Sequence, residues 1–373
     1  MNILLYISLI LGYIYEDSDS LIVYNDTLNI CGQHTYNIKI HAADTARLFI
    51  TSWTGSADST GWLVLNAPDI HITGLSMITA DGAGYWGGTD AHADGYGQGY
   101  GGAGNLGGGG GGGAGYGGTG GNGGGIPGYG GISYGTSDDT ITLIGSGGGA
   151  GRLGGVEGFG GNGGASVLIT ANSVRIDSSS ITSMGAAGYD AVIAAGGGGS
   201  GGGIMIRADS VALRADTFAI EGGPGGDTDE YGGYGGGGAG GGRLKVFYHS
   251  FLDTSDLQIT YGGGEGGIGG WGNGQPGMPG TTFFGVETGI SQIVSWMNPA
   301  FIIRPNPTRG TMHITTKMTP AQIKLYDISG RLIMSLELVN QRETVDLRDL
   351  QRGVYFMIAE NQEMRPCKIV VID

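Results

Sequence analysis

Residues 166 to 185 read SVLITANSVRIDSSSITSMG, and the chain repeats the pattern soon afterwards as GIMIRADSVALRADTFAIEGG. In the first copy Val167, Val174 and Ile181 stand seven apart, and in the second Ile204, Val211 and Phe218 keep that step. Most of these residues have an apolar partner two positions on: Ile169, Ile176, Ile206, Leu213 and Ile220. Alternation by two inside a step of seven describes three short strands per unit, each with one apolar face and a turn between them. Related triplets lie upstream at Leu63, Ile70 and Met77, and downstream at Leu244, Phe251 and Leu257, with one slip. A single unit cannot bury its own apolar face, whereas stacked units can. The pattern therefore predicts a right-handed parallel β-helix. A β-sandwich also gives evenly spaced short strands, but it does not require near-identical triplets.

The same spacing locates the glycine, which supplies 84 of the 373 residues. Val167 and Ile204 are 37 apart, and three steps of seven leave an insertion of 16 residues; the next unit leaves 19. Both insertions depart after the third strand, so stacking the units places them side by side as a wing. The longest glycine-rich stretch, from about Gly82 to Gly164, follows the first clear unit. Without a G-X-Y period it is not collagen. Two states fit such a wing: extended three-fold glycine helices bonded laterally, or flexible coil.

From Leu28 the triplets step by ten, as expected of a terminal unit whose outer face meets water. His34 and His41 there read as turn histidines. Residues 1–17 carry an apolar run of signal-peptide length, without the basic start or A-x-A site. This segment is either a secretory signal, which its length favours, or a first strand. Cys31 and Cys367 are the only cysteines; neither has metal-ligand spacing, and no disulfide between them is expected. The net charge is -15, and from Phe301 onward ten basic residues face eight acidic ones. The preceding 300 residues thus carry about -17, a poor surface for nucleic acid.

Aromatic residues punctuate the glycine. Tyr85, Trp86, Tyr96, Tyr100, Tyr116, Tyr129, Tyr231 and Tyr234 form the candidate binding surface, with Tyr189 and Trp271 nearby. Rings on a backbone with few other side chains can stack on sugars or apolar surfaces, or pack on one another. Asp227, Asp229 and Glu230 could gather a hard cation, but their spacing matches no calcium loop; Asp81, Asp90, His92 and Asp94 read the same way. Asp69 and His71 straddle Ile70 and form the best acid/base pair. No second carboxylate converges on them, so neither catalysis nor a cofactor is expected. The competing reading is a carbohydrate-active β-helix enzyme, a polysaccharide lyase or hydrolase.

After Gly280 the glycine stops. Residues 281–300 read as a linker with one strand-like piece, between the passenger, 18–280, and a different domain at 301–373. Six or seven short alternating strands with turns at Gly310, Gly330 and Gly353 predict a small antiparallel β-sandwich. The motifs PNPTRG (305–310), IKLYDISGRLI (323–333), TVDLRDLQRGVYFMI (344–358) and KIVVI (368–372) resemble the type A C-terminal sorting domain of the type IX secretion system. The matching positions are Pro305, Asn306, Pro307, Gly310, Tyr326, Asp327, Gly330, Leu350, Gly353, Val354 and Tyr355. The resemblance implies export guided by this domain, with the type IX secretion machinery as partner, and release of the passenger or its attachment to surface lipopolysaccharide. It thus implies outer-membrane association by attachment, not by a transmembrane span. The passenger resembles glycine-rich β-helix repeats of bacterial surface proteins. Together these resemblances imply a secreted or cell-surface structural or adhesin-like protein that meets extracellular glycans.

Overall fold

The computed structural model describes residues 12–55, 60–228 and 232–287, and in the C-terminal part 302–304, 308, 310–315, 321–327, 331–340, 342–348, 350–359 and 367–371. The chain divides into two compact units, Met1–Val294 and Ser295–Asp373. All regular structure in the described residues is β.

In the first unit the repeated triplets stack in register. Val167 pairs with Leu63 on one side and Ile204 on the other, and Ile204 pairs with Leu244, all in parallel. Val174 likewise lies between Ile70 and Val211. Ile181 lies between Ile78 and Phe218, and Phe218 pairs with Ile259. The first two strands of each unit join a 10-stranded sheet, and the third joins a separate 6-stranded one. Along Trp62–Asn66 and Asp69–Thr73 burial alternates with a period of two. The inward residues Leu63, Leu65, Ile70, Val167, Ile169, Ile204, Leu244 and Val246 are wholly buried. Each contributes about 1.5–3 kcal/mol by leaving water, which is the reason for stacking.

Three details differ from the sequence reading. Ile78, not Met77, fills the third column, because Gly74 and Leu75 both turn through the left-handed region (φ 68° and 63°) and lengthen that corner. The corresponding downstream corners use one such residue each, Ser178 and Ala215. The downstream slip is a register shift opposite Ala208–Ser210 that pairs Leu252 with Val211 and leaves Phe251 46% exposed. Thr281–Val286, expected in the linker, continues the large sheet beside Arg243–Asp253. Upstream, Ile40 pairs with Ile70 and Leu48 with Ile78, so the segment that steps by ten joins the same stack. Of the proposed signal segment, residues 1–11 lie outside the described residues, while Tyr13–Glu16 is a strand antiparallel to Ser20–Tyr24.

The glycine insertions are ordered by backbone hydrogen bonds. Along 195–203 the donors rotate with a period of three. Ala195, Gly198 and Gly201 donate to Tyr234, Gly237 and Gly240; Gly196, Gly199 and Gly202 to Tyr189, Ala186 and Ser183; and Gly197, Ser200 and Gly203 to Gly149, Ser146 and Leu143, all at 2.8–3.1 Å. Segment 235–242 repeats the rule: Gly235, Gly238 and Gly241 donate to 272, 275 and 278, and Gly236, Ala239 and Gly242 to 226, 223 and 220. A three-residue rotation is that of an extended three-fold helix, here bonded to neighbours on three sides. Side chains are excluded by contact. A Cβ on Gly197 would lie 2.0 Å from the Gly112 carbonyl oxygen, and one on Gly198 would lie 2.0 Å from that of Gly223. Where a helix faces solvent the sequence changes: the unbonded third of 273–279 is Asn273, Pro276 and Pro279, and proline has no N–H to leave unpaired.

In the second unit, Ile302–Arg304, Thr311–Thr315 and Arg342–Asp346 form one antiparallel sheet, and Leu332–Leu338, Ala321–Asp327, Gly353–Ala359 and Cys367–Val371 form another, in that order. Met312, Ile314 and Val345 of the first meet Ile323, Leu325, Tyr355, Met357, Ile369 and Val371 of the second in one core.

Candidate functional site

The wing sorts its aromatic residues by what they touch. Trp53, 8% exposed, stands with its ring 5.0 Å from those of Tyr85 and Trp86 and 5.5 Å from Tyr96. This cluster anchors the long insertion to the upstream unit. Tyr116 was expected on the binding surface but is fully buried, packed against Tyr134 at 4.7 Å with the rings tilted by 36° and the Arg243 guanidinium 5.6 Å above it. Burial pushes its phenol up to about 12. Its hydroxyl takes the Leu143 N–H, so it holds the chain that crosses the large sheet. Tyr234 packs against Trp271 at 5.6 Å, and Tyr231 lies outside the described residues.

Tyr100 and Tyr129 remain. They are 48% and 76% exposed, and among the described residues neither ring meets another. Their helices are adjacent, because Gly102 donates to the Tyr129 carbonyl at 2.9 Å and Asn105 to that of Ile126 at 3.1 Å. On one helix the outward positions are Tyr100, Ala103 and Leu106; on the other Ile126, Tyr129 and Ile132 are 56%, 76% and 67% exposed. Both sets recur every third residue, so each forms a ridge. Between the ridges runs a groove of about 450 Å³ lined by Asp94, Gln98, Tyr100, Ala103, Tyr129 and Ile132 together with glycine backbone. Asp94 fixes one wall by accepting the Ala103 N–H at 2.7 Å. Sequence reasoning passed over Gln98 and Ile132; the three-residue spacing of Ile126, Tyr129 and Ile132 was the signal that could have found them.

The other candidate groups act as clips. Asp81 accepts the Met184 N–H at 2.7 Å and the Thr182 hydroxyl at 2.9 Å, and burial raises it. Asp190 accepts the Asp227 N–H at 2.8 Å, and Asp227 in turn accepts that of Ile268 at 2.7 Å. Carboxylates thus satisfy outward amides of the glycine helices. His92 bonds the Asp94 carbonyl at 2.7 Å, and Asp90 is exposed. Asp229 and Glu230 lie outside the described residues. Among the described residues no three His, Cys, Asp or Glu are placed to share a metal ion. The Asp69–His71 pair does form, at 3.1 Å, on the outer face of the large sheet. Its neighbour there is His41, whose ring centroid lies 6.1 Å from that of His71 and which burial, then His71, pushes down. His34 bonds the Cys31 carbonyl at 2.9 Å.

A further structural group holds segment 134–144 across the large sheet. The side chain of Lys245, 2% exposed, donates to Asp139 at 2.5 Å and to the Ile141 carbonyl at 2.7 Å. Arg243 donates to the carbonyls of Tyr134 and Gly135. Burial alone would raise Asp139, but its bonds from Lys245, Ile141 and Thr136 outweigh this and hold it at about 2.

In the second unit Gly310 sits at φ 122°, and a Cβ there would meet Arg348 at 2.6 Å. Asp327 closes its turn through the Arg331 backbone at 3.1 Å and side chain at 3.0 Å. The Tyr355 hydroxyl bonds the Gln351 carbonyl at 2.6 Å, Leu350 packs on the core, and Tyr326 pairs with Phe356. Gly353 and Val354 open the strand Gly353–Ala359. Pro305, Asn306, Pro307 and Gly330 lie outside the described residues.

Residues 303–373 match the family described as secretion system C-terminal sorting domain. No curated protein and no solved structure was found to match the chain. The tail is therefore a type IX sorting domain, it implies interaction with that secretion machinery, and it marks the protein as secreted or attached to the cell surface. Among the described residues no helix is long and apolar enough to cross a membrane.

Proposed function

We propose that the passenger is a parallel β-solenoid serving as a structural and adhesive surface outside the cell, non-enzymatic and without a cofactor. The observation that carries this reading is the ordering of the wing. Glycine helices bonded on three sides hold an aromatic groove in place, while Asp81, Asp190 and Asp227 on the wing accept backbone amides. Such a surface gains avidity from many displayed copies and needs no single tight site. Surface lipopolysaccharide or extracellular glycans are the partners that fit export by a sorting tail.

The test is adhesion of beads coated with the purified full chain to glycan-coated surfaces, against beads coated with an unrelated acidic protein. Equal adhesion of the two refutes the adhesive role. The enzyme alternative places catalysis at Asp69 and His71, whose side chains approach to 3.1 Å. It predicts new reducing ends or unsaturated products from a polysaccharide, lost in Asp69→Asn; such products would replace the adhesive reading.

A further inference from the structure

We infer that the groove between Tyr100 and Tyr129 binds a neutral, extended oligosaccharide, with sugar rings laid against the two tyrosine faces. This rests on the adhesive reading and gives it a site and a ligand class. The first ground is elimination by contact: Tyr85, Trp86, Tyr96, Tyr116 and Tyr234 spend their rings on other rings, whereas Tyr100 and Tyr129 border one groove with free faces. A tyrosine face suits the C–H face of a sugar ring, with the phenol free to bond outward.

The second ground is the polar lining. Among the described residues the Gln98 side chain makes no hydrogen bond, and the backbone N–H groups of Tyr100 and Tyr129 have no acceptor. Asp94 has one carboxylate oxygen committed to Ala103 and the other open. Free donors and acceptors on the residues that line a groove bordered by two rings are what a polyhydroxyl ligand needs. An apolar peptide would leave them unpaired, at about 1–3 kcal/mol for each buried group.

Charge and length narrow the class. The lining holds a carboxylate and neither lysine nor arginine, and the passenger is strongly acidic, so uronate, sulfate and phosphate sugars are repelled. Residues 98–103 extend about 15 Å at 3.1 Å per residue of a three-fold helix, longer than one sugar ring. The walls are locked by lattice hydrogen bonds, so binding orders little of the protein.

The test is calorimetric titration of the full chain with neutral hexasaccharides of cellulose, xylan, chitin and β-1,3-glucan type, and with hexagalacturonate as the charged control. Saturable binding of at least one neutral hexamer is expected, weakened about tenfold in Tyr100→Ala and in Tyr129→Ala and unchanged in Tyr189→Ala, an exposed tyrosine outside the groove. Circular dichroism matching the wild type confirms that the variants fold. Failure of every neutral hexamer to bind, equal binding by Tyr129→Ala, or preference for hexagalacturonate overturns the proposal. So does a wild-type dimer that Tyr129→Ala converts to monomer in sedimentation, since the ridges would then be a self-association face. Bead adhesion that persists in Tyr129→Ala refutes the groove and leaves the adhesive role standing.

Discussion

Replacing Gly197 with alanine places one methyl group inside the glycine lattice. Its Cβ would lie 2.0 Å from the Gly112 oxygen and 2.4 Å from the Gly112 carbon, so the two helices must part by more than about 1 Å. The bonds joining those helices run from Gly111 to Ala195 and from Ala114 to Gly198, each 2.9 Å. Losing both leaves the buried Gly111 and Ala114 N–H groups unpaired at about 1–3 kcal/mol each, which gives a destabilisation of at least roughly 2–6 kcal/mol. Gly155 is the control. It lies outside the left-handed region with nothing within 4 Å of its Cβ position, so alanine there is neutral or stabilises by about 0.4–1 kcal/mol. Urea unfolding of the full chain, followed by tryptophan fluorescence, reports on the passenger, because four of the five tryptophans, Trp53, Trp62, Trp86 and Trp271, lie in it. If Gly197→Ala unfolds within about 0.5 kcal/mol of Gly155→Ala, the helices are not packed as described and the reasoning fails.

The stacking of units was legible because each inward Val, Ile or Leu repeats at a fixed step, and apolar burial leaves its mark on residue type. The corners were less legible. Whether one or two residues turn left-handed at Gly74–Leu75 is decided by backbone geometry that many residue types tolerate, and so Met77 was read where Ile78 stands. The wing's order could not be read from composition, since glycine is equally the residue of coil; what separates the two states is lateral partners supplied by distant segments. For the same reason Tyr116 looked like its exposed neighbours. Its burial depends on Tyr134 and Arg243, which arrive from elsewhere in the chain. The tail motifs were legible because turns and strands follow one another locally.

Asp216 is fully buried, with one oxygen on the Ser179 N–H at 3.0 Å and the other unpartnered, and burial pushes it up to about 7. A folded pKa above the ordinary 3.8 means that the native state holds the proton more tightly, so stability falls as pH rises from about 4 to 7. Asp216→Asn should flatten that slope and gain on the order of 4 kcal/mol at pH 8, with little change at pH 4; equal curves for the two proteins refute it. Asp139 runs the other way: held at about 2, it contributes stability above pH 4 that is lost as pH falls toward 2. Lys245→Ala removes its partner and should cost about 2–4 kcal/mol and expose residues 136–144 to limited proteolysis, whereas uncut protein would show that the segment is held by other means. In a host with type IX secretion, deleting residues 302–373 should leave the passenger inside the outer membrane, as fractionation and immunoblotting would show. Undiminished surface display would refute the role of the tail.

The most direct test of the ordered wing is amide hydrogen exchange in the full chain carrying nitrogen-15 glycine. The account predicts slow exchange for the glycines of 196–203 and 235–242, whose N–H groups are bonded on three sides, and fast exchange at Gly155, which lies in an exposed strand. Exchange of 196–203 and 235–242 at the rates of an unstructured glycine chain would contradict it.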